Sequence, residues 1–195
     1  MVSVGQRWVT GIAAVGMACA VLGIANAMAQ VRPSNVPYEA TPKEVVDSML
    51  RLAKVGPDDV IYDLGCGDGR IVIEAARSRG ARGVCIDIDP QRTALARDNA
   101  RRAGMSDRIV FRTQDVLDTP LGEASVVAIF LSAALNQALR PKLMRELPPG
   151  GRVVSHWHDM GDWKPDRIEF VRAAGHTRPI YLWIIANRAA HHPAR

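Results

Sequence analysis

Three glycines alternate behind an aspartate in the segment V-I-Y-D-L-G-C-G-D-G-R, residues 60–70. Val60, Ile61 and Tyr62 make a short β-type run, Asp63 follows, and Gly65, Gly67 and Gly69 mark a tight turn. Such a turn brings bare backbone close to a ligand, because glycine has no Cβ to hold it away and reaches φ/ψ regions that other residues resist. Ile71, Val72, Ile73, Ala75 and Ala76 then begin a helix-compatible run, whose N-terminus presents unpaired N–H groups to the same space. Strand, glycine turn and helix in that order open a nucleotide-binding βαβ unit, so the turn is a candidate cofactor site. A pyrophosphate-binding G-x-G-x-x-G fingerprint is incomplete, since Arg70 stands where its third glycine belongs.

A second strand-like run, Gly83 to Ile88, carries Asp87. It lies about 20 residues past the turn, the spacing at which a carboxylate on the neighbouring strand accepts hydrogen bonds from ribose hydroxyls. Asp89 precedes Pro90 and reads as the N-cap of a helix from Gln91 to Ala103, which Gly104 closes. A third strand, Arg108 to Arg112, leads to Asp115. Taken alone, that residue is equally a loop aspartate in an Asx turn. Asp63, Asp87 and Asp115 after three successive strands are far more specific together than any one of them.

The elements that must position these acids follow from periodicity. Thr41 and Glu44 match a capping box around Pro42, and Val45, Val46, Met49, Leu50 and Ala53 recur at helical spacing, predicting an amphipathic helix over Thr41 to Lys54. Ser125 to Leu131 is a nearly continuous apolar run suited to a strand buried on both faces. Asn136 to Glu146 reads as a helix, stopped by Pro148-Pro149-Gly150-Gly151, and Arg152 to Ser155 opens a fifth strand. Residues 156–165 are too short and broken for a crossover helix; Arg167 to Arg172 and Pro179 to Asn187 read as two strands joined near Gly175. The expected fold is an α/β, Rossmann-like sandwich, with a mostly parallel sheet and an antiparallel C-terminal end.

Residues 1–29 contain one basic residue, Arg7, then an apolar run from Trp8 to Ala25 and the small-x-small pattern Ala27-Met28-Ala29. They read as an export signal cleaved before Gln30, or as a single membrane anchor, and either places the following domain across the membrane. An extended arm over 30–40, one domain over 41–187 and a tail over 188–195 complete the organisation. The net charge of +5 comes from arginines spread along the chain, which read as solvated helix faces; no aromatic residues interleave with them, so no nucleic-acid partner is expected. Cys66 and Cys85 form neither a disulfide framework nor a metal-ligand spacing, and Cys66 reads as a reactive thiol or a small space-filler. His156 and His158 have no third ligand in suitable spacing and read as surface or packing residues; no metal is expected.

An acid ending a strand before G-x-G-x-G resembles motif I of the class I S-adenosylmethionine (SAM) methyltransferases. The segments V-P-Y-E-A-T-P-K-E-V-V, Y-D-L-G-C-G-D-G-R-I-V-I, S-H-W-H-D-M-G-D-W-K-P-D and I-Y-L-W-I-I, between Val36 and Ile185, together resemble bacterial relatives of the mitochondrial lysine methyltransferases that modify the ATP synthase c-subunit and the adenine nucleotide translocase. The resemblance implies SAM as cofactor and methyl transfer to a lysine of a protein acceptor, a membrane protein among the candidates. It also implies that Asp63 serves the cofactor's amino-acid moiety, that Gly65, Cys66 and Gly67 pass under its ribose and methionine part, and that Asp115 accepts from the adenine amino group. Asp87, with adjoining Ile88, completes the cofactor set, and Tyr38 and Thr41 belong to an arm that closes over it. No catalytic base is identified; Tyr38, Asp159 and Asp162 are the candidates near the acceptor. The N-P-P-Y-like sequence that DNA and glutamine amino-methyltransferases carry after the fourth strand is replaced by F-L-S-A, which argues against base methylation. A small-molecule methyltransferase and a non-catalytic SAM-binding envelope module are the alternatives. Contact with a membrane is expected only through residues 1–29, if they stay uncleaved.

Overall fold

The computed structural model describes residues 39–186; the expected export segment, Tyr38 and the C-terminal tail lie outside the described residues. The chain runs α1 (Lys43–Leu52), β1 (Val60–Leu64), α2 (Arg70–Arg79), β2 (Arg82–Asp87), α3 (Pro90–Arg102), β3 (Ile109–Thr113), β4 (Val126–Ile129), α4 (Ala133–Glu146), β5 (Arg152–His156), β6 (Arg167–Ala173) and β7 (His176–Ile184). One sheet joins the strands in the order β3-β2-β1-β4-β5-β7-β6. The first five pair in parallel, and β7 runs antiparallel between β5 and β6. The reversal has a local cause. Ala174 and Gly175 both have positive φ, 50° and 80°, and a two-residue turn of that kind joins only antiparallel neighbours.

Side-chain alternation divides the core. Val45, Met49, Val72, Ala75, Ala96 and Ala100 from α1, α2 and α3 pack on Ile61, Cys85, Val126, Val154 and Ile180 on one face of the sheet. Leu139 and Leu143 of α4 cover Tyr62, Leu64, Ile86, Val127, Ile129 and Trp183 on the other. From β1 the chain first builds outward through β2 and β3, then crosses to β4 on the opposite side. Such a switch point leaves a crevice at the carboxyl ends of β1 and β4, where ligands bind in open α/β sheets. Among the described residues, no helix is long and apolar enough to cross a membrane.

Two local expectations are overturned. The capping box does not form: α1 starts at Lys43 after Pro42 and has no side-chain cap. The Thr41 hydroxyl is instead paired with His156 Nδ1 at 3.3 Å, in the interior. The two cysteines, read from sequence as an unpaired reactive or space-filling thiol and a strand residue, are joined in a Cys66–Cys85 disulfide with a Cα–Cα distance of 5.3 Å. The cause is the fold of the turn. The Gly65 and Cys66 amides both donate to Ile86 O, at 2.8 and 2.9 Å, which folds Cys66 back over β2.

The disulfide spans 19 residues of sequence, and a loop of that size is stabilised by about 3 kcal/mol through lost unfolded-state entropy. Cys85→Ala is therefore expected to lower stability by about that amount, measured by urea unfolding. Alkylation followed by intact mass should label no thiol at these positions without reductant and two after it. His156 supplies a second test. Burial, followed by Arg178 and His158 nearby, lowers its pKa from 6.5 to about 4, so the neutral ring is the folded form. Its contribution is present above the unfolded pKa and is lost as pH falls from about 6.5 through about 4, roughly 3 kcal/mol in all. Wild type should lose that much more stability than His156→Gln across this window, the difference cancelling groups common to both.

Candidate functional site

The glycine turn is fixed by hydrogen bonds to the end of β2. Gly67 N donates to Asp87 Oδ2 at 2.9 Å, and Asp89 N donates to Asp87 Oδ1 at 3.0 Å. Asp87 thus braces the turn and the start of α3 together, with lone pairs left on both oxygens for hydroxyl donors. Asp89 caps α3 through Gln91 N at 2.8 Å. Gly69 has φ 79° and leaves α2 close to α3: a Cβ there would sit 2.9 Å from Ala96 Cβ. Gly65 has φ 81°, a conformation that favours glycine, and the turn there rests on the segment after β4, where a Cβ would sit 2.6 Å from Leu131 Cδ2.

Asp63 lies within β1, one residue before its end. It is 2 % exposed and its Oδ2 has no hydrogen-bond partner. Burial, with Asp87 and Asp68 adding negative charge, pushes its pKa up to about 8. A buried acid without a partner is costly to ionise unless a cation arrives. The α-ammonium group of an amino-acid moiety is such a cation, so the residues present fit S-adenosylmethionine. Ile88 is half-buried between Asp87 and Asp89. Gln114 N donates to Asp87 O at 3.0 Å, which brings the residue after it, Asp115, to the same edge. Asp115 Oδ1 accepts from Leu117 N at 2.9 Å, the Asx-turn geometry.

Sequence reasoning saw in Arg70 only a missing glycine. Its guanidinium pairs with Asp68 at 2.6 Å and donates from Nη1 to Thr41 O at 2.8 Å. The residues before α1 are thereby tied to the N-terminus of α2, and Thr41, 4 % exposed, is brought to the crevice edge.

The opposite side of the crevice is built from the segments that follow β4 and β5. Ser132 caps α4 through Leu135 N at 3.3 Å. Asn136, fully buried, donates from Nδ2 to Ser155 Oγ and His158 O, both at 3.1 Å. Ser155 Oγ donates to the same carbonyl at 2.7 Å. These bonds hold a sharp turn after β5, in which Trp157 has φ 73° and His158 N donates to His156 O at 2.9 Å. His156 and His158 therefore do not share one extended face: His156 is buried against Phe130, ring centroids 4.0 Å apart, and His158 is half-buried. A cleft of about 410 Å³ opens here, lined by Glu39, Phe130, Trp157, His158, His176 and Arg178. Asp159 accepts from Gly161 N at 3.0 Å, and Asp162 pairs with Arg140 at the exposed surface. Neither lines the cleft. Among the described residues, no three His, Cys, Asp or Glu side chains gather as a metal site.

Comparison with known proteins places this geometry. Residues 63–167 match the model of the ANTKMT methyltransferase domain. A protein-lysine N-methyltransferase of Saccharolobus islandicus is 40 % identical, over 78 % of this chain and 96 % of its own length. The adenine nucleotide translocase lysine N-methyltransferase of Mus musculus is 35 % identical over 67 % of this chain, which spans 56 % of that relative. A crystal structure described as an RNA methyltransferase from Salinibacter ruber, in complex with S-adenosyl-L-homocysteine, superposes with a TM-score of 0.73. It is 48 % identical and covers 80 % of this chain and all of its own. With the glycine turn, the seven-stranded order and the unpartnered acid of β1 in place, the chain belongs to the ANTKMT methyltransferase domain family, among the class I SAM-dependent methyltransferases.

Proposed function

We propose that this enzyme methylates lysine side chains of a protein acceptor, with SAM bound across the carboxyl ends of β1, β2 and β3. The observation that carries the acceptor class is the 40 % identity with a protein-lysine N-methyltransferase over 96 % of that protein's length. Asp63 meets the cofactor's ammonium group, Gly65, Cys66 and Gly67 supply close backbone, Asp87 and Ile88 take the ribose region, and Asp115 takes the adenine. Thr41 borders the site from the arm side, and Tyr38 belongs to the same arm. When bound, SAM supplies an electrophilic methyl carbon on a sulfonium. The protein's part is to align an acceptor nitrogen with that carbon and to favour its uncharged form.

A domain carrying a Cys66–Cys85 disulfide suits an oxidising compartment, which supports the exported placement expected from residues 1–29. A membrane protein is a fitting acceptor for that placement. RNA is the second reading, favoured by the description of the 48 %-identical structure. Against it stands F-L-S-A after β4 in place of an N-P-P-Y-like segment.

Two experiments test the proposal. Full-length enzyme incubated with methyl-labelled SAM and a mixture of protein and RNA should put label into material that proteinase releases, running as methyl-lysine after hydrolysis; label in ribonucleosides would overturn the protein reading. Asp87→Ala should weaken S-adenosylhomocysteine binding at least tenfold by calorimetry, since hydrogen bonds to a charged group are worth about 1.5–3 kcal/mol. Unchanged affinity would remove Asp87 from the site.

A further inference from the structure

The cleft after β4 and β5 lies on the same carboxyl edge of the sheet as the glycine turn, one strand further on: Phe130 follows β4, the direct neighbour of β1. Its walls are aromatic, Phe130 and Trp157, which suits the methylene stem of a long side chain. Its two formal charges are ordered by depth. The Glu39 side chain is 61 % exposed, whereas that of Arg178, its ion-pair partner at 3.1 Å, is 11 % exposed. Arg178 is held over the Trp157 ring, 5.4 Å from the centroid, and its buried Nε has no partner. The titratable groups facing this space are Glu39 from the arm, His158 from the turn after β5, and His176 and Arg178 from β7, with His156 buried behind Phe130.

We propose that this cleft receives the acceptor lysine, and that the Glu39–Arg178 pair attracts it charged and delivers it neutral. This rests on the lysine-acceptor reading above. At the mouth the Glu39 carboxylate favours the ammonium ion. Deeper in, the amine meets a guanidinium that cannot give up its own charge, and an adjacent fixed positive charge lowers an amine's pKa. Passing from Glu39 toward Arg178, the ammonium ion gives its proton to a solvent water and keeps the electron pair on Nζ, which is the nucleophile the reaction needs. The same device explains why no carboxylate or imidazole need act as a strong base: the field of Arg178 does the work of deprotonation.

The test is the pH dependence of methyl transfer from saturating SAM to poly-L-lysine by full-length enzyme, read between about pH 7.5 and 10, above the ordinary range of the histidines. Arg178→Gln should move the midpoint of the rising limb up by about one pH unit, a rate loss of about tenfold at the low end that recovers at the high end. Arg178→Lys, which keeps the charge, should keep the midpoint. Glu39→Gln should move it the other way, downward, and raise KM for poly-L-lysine, because it leaves Arg178 uncompensated and removes the attraction at the mouth. Calorimetry with S-adenosylhomocysteine shows that each variant is folded; should Arg178→Gln not bind, the downward shift in Glu39→Gln decides alone. Coincident midpoints in wild type and the folded variants, with transfer intact, overturn the gate while leaving lysine methylation standing. Wild type that binds S-adenosylhomocysteine but transfers nothing to poly-L-lysine contradicts the lysine reading itself, and the gate falls with it.

Discussion

A carboxyl group buried without a partner near the end of the central parallel strand is the constraint around which the rest of the molecule is arranged. Asp63 is 2 % exposed, with one oxygen unsatisfied, and its register partner on β2 is Cys85, itself sealed in the disulfide. Its raised pKa, about 8, means that folding favours the protonated acid. The associated stability is present below the ordinary aspartate range and is lost as pH rises through about 8. A polar group is retained at that cost where function calls for it. The neighbouring acids Asp87 and Asp68 raise the cost further, and a cation brought beside the carboxyl would offset it.

The remainder of the edge divides at the switch point between β1 and β4. On one side the turn, Asp87 and the start of α3 are locked by short backbone-to-carboxylate bonds and a covalent bridge, giving a rigid cradle. On the other, Asn136 and Ser155 hold the turn that presents Trp157 beside Arg178. Two contacts stitch the segment before α1 across both halves: Arg70 to Thr41 O on the cradle side, and Thr41 to His156 on the cleft side. A methyl donor and an acceptor must be aligned to within fractions of an ångström, and this segment is bonded to the glycine-turn side through Arg70 and to the cleft side through His156.

Much of this was legible in the sequence wherever a pattern is local. The glycine turn, the spacing to Asp87, the Asp89-Pro90 cap and the strand–helix alternation each depend on residues near one another, and the structure reproduces the element ends within three residues, the widest departures being the start of α4 and both ends of β7. What escaped is set by partners far apart. Thr41 carries a local capping signature, yet its hydroxyl is paired with a residue 115 positions away, and the helix starts later in consequence. The Cys66–Cys85 bridge needs both the strand register and the backward fold of the turn, neither of which appears in spacing alone. Glu39 and Arg178 are 139 residues apart; only the insertion of β7 between β5 and β6 brings them to one cleft. In the sequence Arg70 shows only as the replacement of a glycine, and its bond to a carbonyl 29 residues earlier exists only in the folded chain.

The most direct measurement is the proton balance of cofactor-product binding. S-adenosylhomocysteine is titrated into the protein near pH 7, in buffers of different ionisation enthalpy, beside Asp63→Asn. An acid with a pKa of about 8 that ionises to meet the ligand's ammonium releases close to one proton per molecule bound. Buffer-dependent enthalpies in wild type that become buffer-independent in the variant are the predicted result. Equal enthalpies across buffers in wild type, with binding intact, would contradict the role given to Asp63 and the arrangement built on it.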